Sequence, residues 1–231
     1  EHFEEVMRKI VNRTGLAIAL DGVFRWVAFL PSKMDARIPI ANRYFGVFQS
    51  GEIKVRGLEA RRRDTPRWIG QVQTEMIARL GQARNRSELP QALNAAFEVY
   101  QDALAALKAG RVPLELLVIN GKVSYALEAY KSATAAVRAA RQLVKAGMQV
   151  RPGQRVRFLF MQGEPDVRAW ELSGKVDPHS LDLRKYMELL AKAGGSVLLP
   201  FGIAPEVLME WTLKGGIQLP LPVQAFDLAV V

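Results

Sequence analysis

The residues best suited to bind a ligand are clustered arginines at residues 42–64. This segment reads NRYFGVFQSGEIKVRGLEARRRD. Tyr44 is interleaved there with six bases: Arg43, Lys54, Arg56, Arg61, Arg62 and Arg63. Arginines beside an exposed strand can bind phosphates through paired hydrogen bonds and so position a duplex. The alternative is a solvated face in which Glu59 and Asp64 pair with the arginines. Local features alone do not separate the two interpretations.

A second basic stretch, residues 122–157, has a one-signed charge. It contains a single acid, Glu128, and eight bases: Lys122, Lys131, Arg138, Arg141, Lys145, Arg151, Arg155 and Arg157. Seven of the net nine positive charges of the chain therefore fall here. A solvated face usually mixes both signs, so this excess favours a polyanionic partner such as nucleic acid.

Side chains suited to catalysis are scarce. Cysteine is absent and the two histidines, His2 and His179, are far apart, so neither a disulfide nor a metal site is predicted. Two-metal phosphoryl transfer needs at least two converging carboxylates. Glu4 and Glu5 fall on a solvated helix and Asp21 falls at a turn. We therefore predict no catalytic residue and no cofactor in this chain.

The composition narrows the class of protein. The chain is 49% apolar, which is enough for a core, and no apolar run approaches the roughly 18 residues of a membrane span. The absence of cysteine and of a secretion leader favours a cytoplasmic location. Because the chain opens with Glu1, we expect a piece of a longer protein.

The elements that must position the basic residues form a sheet-rich start and a mainly helical remainder. A helix is predicted at residues 2–13, and a hairpin around Asp21-Gly22. Strands are predicted at residues 16–20, 23–30, 43–48, 52–58 and 155–161, with a strand or extended piece at 114–119. Thr65 is predicted to cap a helix with Pro66 in its first position. Further helices are predicted at residues 87–107, 133–146, 183–193 and 205–213, giving an α+β layout.

Several of these segments resemble, in order, the end of the palm and the thumb of family B DNA polymerases. That family has a Lys-x-Tyr motif and then an Arg-Gly-(Ile/Leu)-Glu run ending in Arg-Arg-Asp. Tyr44 stands in the tyrosine place, followed by Arg56-Gly57-Leu58-Glu59 and Arg62-Arg63-Asp64. The remaining similar pieces are residues 20–26, 129–131, 139–141 and 151–156, then Asp182 with Tyr186, and residues 200–202.

The sequence departs from the family pattern in three places. Asn42 stands where the family has the lysine that, with the tyrosine, reaches the minor groove and the primer end. Ala135 stands about where a histidine usually precedes the central thumb helix. The catalytic aspartate motifs, Asp-x-x-Ser-Leu-Tyr-Pro and Tyr-Gly-Asp-Thr-Asp, do not occur, so the resemblance implies a piece that does not polymerise alone.

The resemblance implies a small antiparallel palm-derived sheet at residues 1–40 and a thumb domain at 41–231, with an extended tail from about residue 215. It implies a role in gripping primer–template duplex during DNA synthesis, in replication or repair. The implied DNA-binding residues are Arg43, Tyr44, Arg56, Arg62, Arg63, Lys131, Arg138, Arg151 and Arg155.

Three origins for such a chain stay open. It is a segment of a longer polymerase, a natural subunit of a split polymerase, or a non-catalytic polymerase-like remnant that binds DNA or a partner. In the first two cases the palm, fingers and exonuclease regions are its partners, in the same chain or another, and the complete nucleotidyltransferase uses magnesium.

The tail offers a further hypothesis. Residues 218–221, Gln-Leu-Pro-Leu, match the first four places of the bacterial peptide Gln-Leu-x-Leu-Phe that binds a sliding clamp, and Pro222 replaces its aromatic residue. Gln218, Leu219 and Leu221 are the predicted clamp contacts. The alternative is that the tail packs back on the helix near Trp211.

Overall fold

The computed structural model describes residues 2–32, 35, 38–174 and 176–214. These ranges contain two three-stranded antiparallel sheets and seven α-helices, which confirms the α+β prediction. The first sheet has the order β1-β2-β3, with β1 at Phe24–Pro31, β2 at Pro39–Phe48 and β3 at Ile53–Arg56. Gly51, at φ +90°, supplies the left-handed turn residue between β2 and β3.

The predicted hairpin at Asp21-Gly22 is wrong. Residues 15–23 form no strand, and β1 pairs instead with β2, in a register that places Ala28 opposite Phe45. A strand needs a partner for its backbone groups, and the described residues offer none to residues 16–20. Leu16, Ile18 and Leu20 are consequently exposed. Helix α1, His2–Thr14, is confirmed, although it buries no residue.

Four helices contain most of the α-helical residues that follow the first sheet. They are α2 at Arg67–Leu80, α3 at Leu89–Lys108, α6 at Leu183–Leu198 and α7 at Pro205–Lys214. The predicted cap by Thr65 is wrong, because α2 begins one residue later than expected and Pro66 occupies the cap position without a side-chain bond. The piece predicted to be extended at 114–119 is mostly the one-turn helix α4, Leu114–Leu117.

The second sheet and helix α5 form a separate layer. Its order is β4-β5-β6, with β4 at Ile119–Lys122, β5 at Arg155–Phe160 and β6 at Val167–Ala169. Only β5 was predicted, because strands of three or four residues are too short to show an alternating pattern. Helix α5, Ala135–Lys145, begins at Thr134, whose hydroxyl accepts the Val137 N–H. The helix ends at Lys145, shortly before Gly147, which has a left-handed backbone conformation with φ +84°.

One apolar core joins the two sheets to the helices. Phe45 of β2, Met76 of α2 and Tyr186 of α6 are fully buried members of it. Burial raises the pKa of the Tyr186 hydroxyl, which accepts the Phe160 N–H. Strand β2 spans residue 40, so the first sheet crosses the predicted domain division, which stays a prediction.

Candidate nucleic-acid interface

The loop between β3 and α2 is fastened by a buried polar network. Gln73 of α2 is fully buried, and its carbonyl oxygen accepts the Ala60 N–H at 2.6 Å. Its amide nitrogen donates to Glu59 Oε2 at 2.9 Å and to the Ala193 carbonyl of α6 at 2.8 Å. Glu59 itself is only 6% exposed. The network thus ties the start of the arginine-rich loop to two helices.

This loop and the residues that flank it carry the first basic cluster, which we define as Arg56, Arg61, Arg62, Arg63 and Arg67. All five side chains are exposed. Among the described residues, only Arg62 of the five has a hydrogen-bonded partner, Asp64, at 2.9 and 2.7 Å. That pairing holds the pKa of the Asp64 carboxyl below its ordinary value and raises the pKa of Arg62.

A groove of about 510 Å³ lies beside this cluster at the start of α2. Arg62, Thr65, Arg67, Gly70 and Thr74 are among the residues that line it. The unpaired N–H groups of a helix start carry partial positive charge, which adds to that of the arginines. The lining also includes one acid, Glu75, which is paired with Arg79, so Arg67 is the lining cation without an acid partner in the described chain.

Arg43 and Tyr44, adjacent on β2, have different surroundings. Arg43 Nε donates to the Gly57 carbonyl at 3.3 Å, and its guanidinium lies 4.0 Å from the buried Glu59 carboxylate. Tyr44 packs against Phe29, with ring centroids 5.2 Å apart, and pairs with Arg56 across the β2–β3 ladder. The structure thus places Tyr44 beside the first basic cluster and turns Arg43 toward the loop.

The second basic cluster, which we define as Lys122, Lys131, Arg151 and Arg155, surrounds the loop after β4. Lys122 lies opposite Arg155 in the β4–β5 ladder. The Val123 N–H donates to the Gln154 carbonyl at 2.9 Å, so the turn that carries Arg151 lies against this loop. Within the described part of the chain, none of these four side chains pairs with an acid, and only Arg155 makes a hydrogen bond, to the Asn120 carbonyl.

Arg138 is engaged within the protein. Its guanidinium binds both oxygens of Asp166, at 2.8 and 2.6 Å, and also the Ala133 carbonyl. These bonds join α5 to the segment before β6. Arg157 is likewise paired, with Glu171 at 2.9 Å. The structure therefore divides the predicted one-signed stretch into bases that have no acid partner among the described residues and bases, Arg138 and Arg157, that are paired with an acid.

Sequence reasoning missed two residues of interest. Gln73 shares the buried side of α2 with Val72 and Met76, and a glutamine at a core position was the available signal. Tyr125, beside the second basic cluster, is 65% exposed, and no periodic pattern distinguished it. The predicted clamp contacts Gln218, Leu219 and Leu221 lie outside the described residues.

The described ranges contain no group of three or more histidine, cysteine, aspartate or glutamate side chains placed to hold a metal ion. No helix within them is both long enough and apolar enough to cross a membrane.

Known proteins are similar to this chain in fold and in sequence. The structure of the family B DNA polymerase from the hyperthermophilic archaeon Pyrobaculum calidifontis is similar with a TM-score of 0.59 at 19% identity, over 87% of this chain and 24% of that one. The sequence model of DNA polymerase family B matches residues 3–191. The chain belongs to DNA polymerase family B.

Curated relatives are much longer than this chain. DNA polymerase 1 of Saccharolobus solfataricus is 24% identical over 202 residues, which are 87% of this chain and 22% of that protein. The DNA polymerase of Thermococcus aggregans is 29% identical over 166 residues, which are 72% of this chain and 8% of that protein. The chain thus spans a quarter or less of the length of these relatives.

Proposed function

We propose that this chain grips primer–template duplex as the thumb and last part of the palm of a family B DNA polymerase. The observation that carries the proposal is the pair of exposed basic clusters, in which eight of nine bases have no acid partner among the described residues. In a chain of this family, such a surface suits the phosphates of the duplex product. Contacts to phosphates are indifferent to sequence, as template-directed synthesis requires.

The predicted DNA-binding residues differ in whether they must break a bond within the protein before they can bind phosphate. Arg56, Arg63, Lys131 and Arg151 make no side-chain bond within the described chain and can bind phosphate directly. Arg62 must exchange Asp64 for phosphate, and this exposed pair costs little to open. Arg155 must exchange the Asn120 carbonyl in the same way. In this proposal Tyr44, which lies opposite Arg56 in the β2–β3 ladder, contacts the minor groove.

Arg43 and Arg138 are bound more extensively. Arg138 makes three hydrogen bonds, two of them to Asp166. Arg43 lies near the buried Glu59, whose carboxylate would lose a nearby positive charge if Arg43 turned outward. In this proposal both residues contact DNA only if these internal bonds exchange for phosphate.

The proposal includes a partner, the remainder of the polymerase, in the same chain or as another subunit. Phe3, Val6 and Ile10 of α1 are exposed, and so is the apolar run at residues 16–20. Apolar helix faces and apolar runs normally lie against a core. A palm-type sheet would cover them. It would also supply the carboxylates that hold magnesium in the complete enzyme.

The test is the salt dependence of duplex binding by the purified chain. If about four phosphates are neutralised, the slope of log affinity against log salt should be near −4. The variant Arg62→Ala/Arg63→Ala should weaken binding to all sequences alike and reduce the slope by about two. The control Arg111→Ala/Arg184→Ala removes two exposed arginines outside both clusters and should change the slope less. Salt-independent binding would show that the basic faces are merely solvated.

A second assay separates the proposal from its alternative, a remnant with no enzyme to complete. The chain alone should extend no primer with magnesium and nucleotides. Extension on addition of a catalytic polymerase part from the same organism would support the polymerase role. Duplex binding without any such reconstitution would favour the remnant.

A further inference from the structure

The loop after β4 carries an exposed aromatic ring within the second basic cluster. Tyr125 is 65% exposed, the largest value among the aromatic rings that follow β1 in the described chain. Its hydroxyl makes no hydrogen bond with a described residue. Among the described residues, the Tyr125 ring contacts one other aromatic ring, that of Tyr130. The two ring centroids are 5.8 Å apart and the ring planes are inclined by 61°. Most of the ring is therefore open to a ligand.

The backbone beneath this ring is held in place. The Tyr130 hydroxyl accepts the Ser124 N–H at 2.6 Å and the Tyr125 N–H at 3.2 Å. On the other side, the Val123 carbonyl accepts the Gly153 N–H at 2.6 Å. The backbone at the ring is thus bonded both to Tyr130 and to the turn at Gly153, which lowers the ordering cost of binding.

The charges around the ring favour an anionic ligand. Lys122 precedes the loop and Lys131 follows Tyr130, while Arg151 and Arg155 lie on the neighbouring turn and strand. The only acid near in sequence is Glu128, which is exposed and bound to no described base. An open aromatic ring among unpaired cations is the combination that binds single-stranded nucleic acid, whose bases stack while its phosphates are neutralised.

We propose that Tyr125 and the second basic cluster form a subsite for an unpaired DNA strand, with one base stacked on the Tyr125 ring. The inference rests on the proposed DNA-binding role of this cluster and narrows it. In a duplex both faces of each internal base are covered by its neighbours, so an open ring can stack only on a base that is unpaired. Single-stranded template or a frayed primer end has this chemistry.

The experiment compares three variants of the full chain on two DNAs. Tyr125→Ala removes the ring, Tyr125→Phe keeps the ring without its hydroxyl, and Val207→Ala truncates a side chain that is 48% exposed on α7. Affinities for oligo(dT) and for a long duplex, in which ends are a small fraction of sites, are measured at one low salt concentration. Melting temperatures check that all variants fold.

We expect a loss of affinity in only one variant and for only one of the two DNAs. Tyr125→Ala should bind oligo(dT) at least about fivefold more weakly, the lower end for one stacked base, and duplex unchanged. Tyr125→Phe and Val207→Ala should resemble the unaltered chain.

Two outcomes would overturn the inference. If Tyr125→Ala binds oligo(dT) as the unaltered chain does, no base stacks on the ring. If its affinities for both DNAs fall equally, the ring contacts duplex backbone instead. In either case, salt-dependent duplex binding by the unaltered chain would leave the proposed function standing, whereas loss of duplex binding by the unaltered chain would remove that function itself.

Discussion

Replacing Gln73 with leucine tests whether the buried network fastens the first basic cluster. The substitution keeps a side chain of similar size in a fully buried position, so little packing is lost. It removes all three hydrogen bonds of the carboxamide. The Ala60 N–H and one oxygen of Glu59 then lack this partner, and the Ala193 carbonyl, inside α6, loses one hydrogen bond.

The expected loss follows from those unpaired groups. A buried polar group without a partner costs about 1–3 kcal/mol, but loop atoms near solvent can recover part of this by binding water. We expect the free energy of unfolding to fall by about 3 kcal/mol. For a chain of this size, that corresponds to a melting temperature lower by roughly 6–12 °C.

Thermal and urea unfolding of the full chain measure the loss. The matched control is Gln71→Leu, which changes the same residue type on the exposed side of the same helix. Its unfolding free energy should stay within about 0.5 kcal/mol of that of the unaltered chain. Equal stabilities for the Gln73 and Gln71 variants would refute the reasoning. Well below its melting temperature, the Gln73 variant should also bind duplex more weakly, because the arginine loop is less fixed.

Three other changes have defined outcomes. Gly57→Ala, at φ +66° and with the new Cβ against the Asn42 carbonyl, should lower the unfolding free energy by at least about 1–3 kcal/mol in urea titrations. The folded-state pKa of Asp64 is depressed, so its stabilisation is present above the ordinary value of 3.8 and is lost as pH falls through the lower folded value. In Asp64→Asn, melting temperatures should therefore fall less on acidification, and filter-binding assays should show tighter duplex binding because Arg62 is released. Under the clamp hypothesis, deleting residues 216–231 should abolish calorimetric binding to the sliding clamp of the source organism; unchanged clamp binding with a lower melting temperature would favour the alternative, a structural tail.

The sequence by itself determined the family and the long elements. The order of motifs around Tyr44 and Arg62-Arg63-Asp64 indicated family B DNA polymerases, which the family match over residues 3–191 confirms. Helices α2, α3 and α6 were predictable because their apolar residues repeat at helical spacing over ten or more residues. The distribution of charge along the sequence located the two basic stretches, but not which of their side chains pair within the protein.

Tertiary structure alone decided which partners each segment finds. The apolar run at residues 16–20 is typical of a strand, but pairing depends on a neighbour that the described chain lacks, so β1 pairs with β2 alone. Strands β4 and β6 exist because β5 lies between them, not because three or four residues prefer that conformation.

The same limit applies to the candidate interface. Arg138 and Arg151 look alike in the sequence, yet one is bound to Asp166 and the other is exposed without a side-chain bond in the described chain. Asp166 is distant from Arg138 in the sequence, and only the packing of α5 on the second sheet brings them together. Residue type determines what a side chain can bind, whereas the fold determines whether a partner within the protein has already bound it.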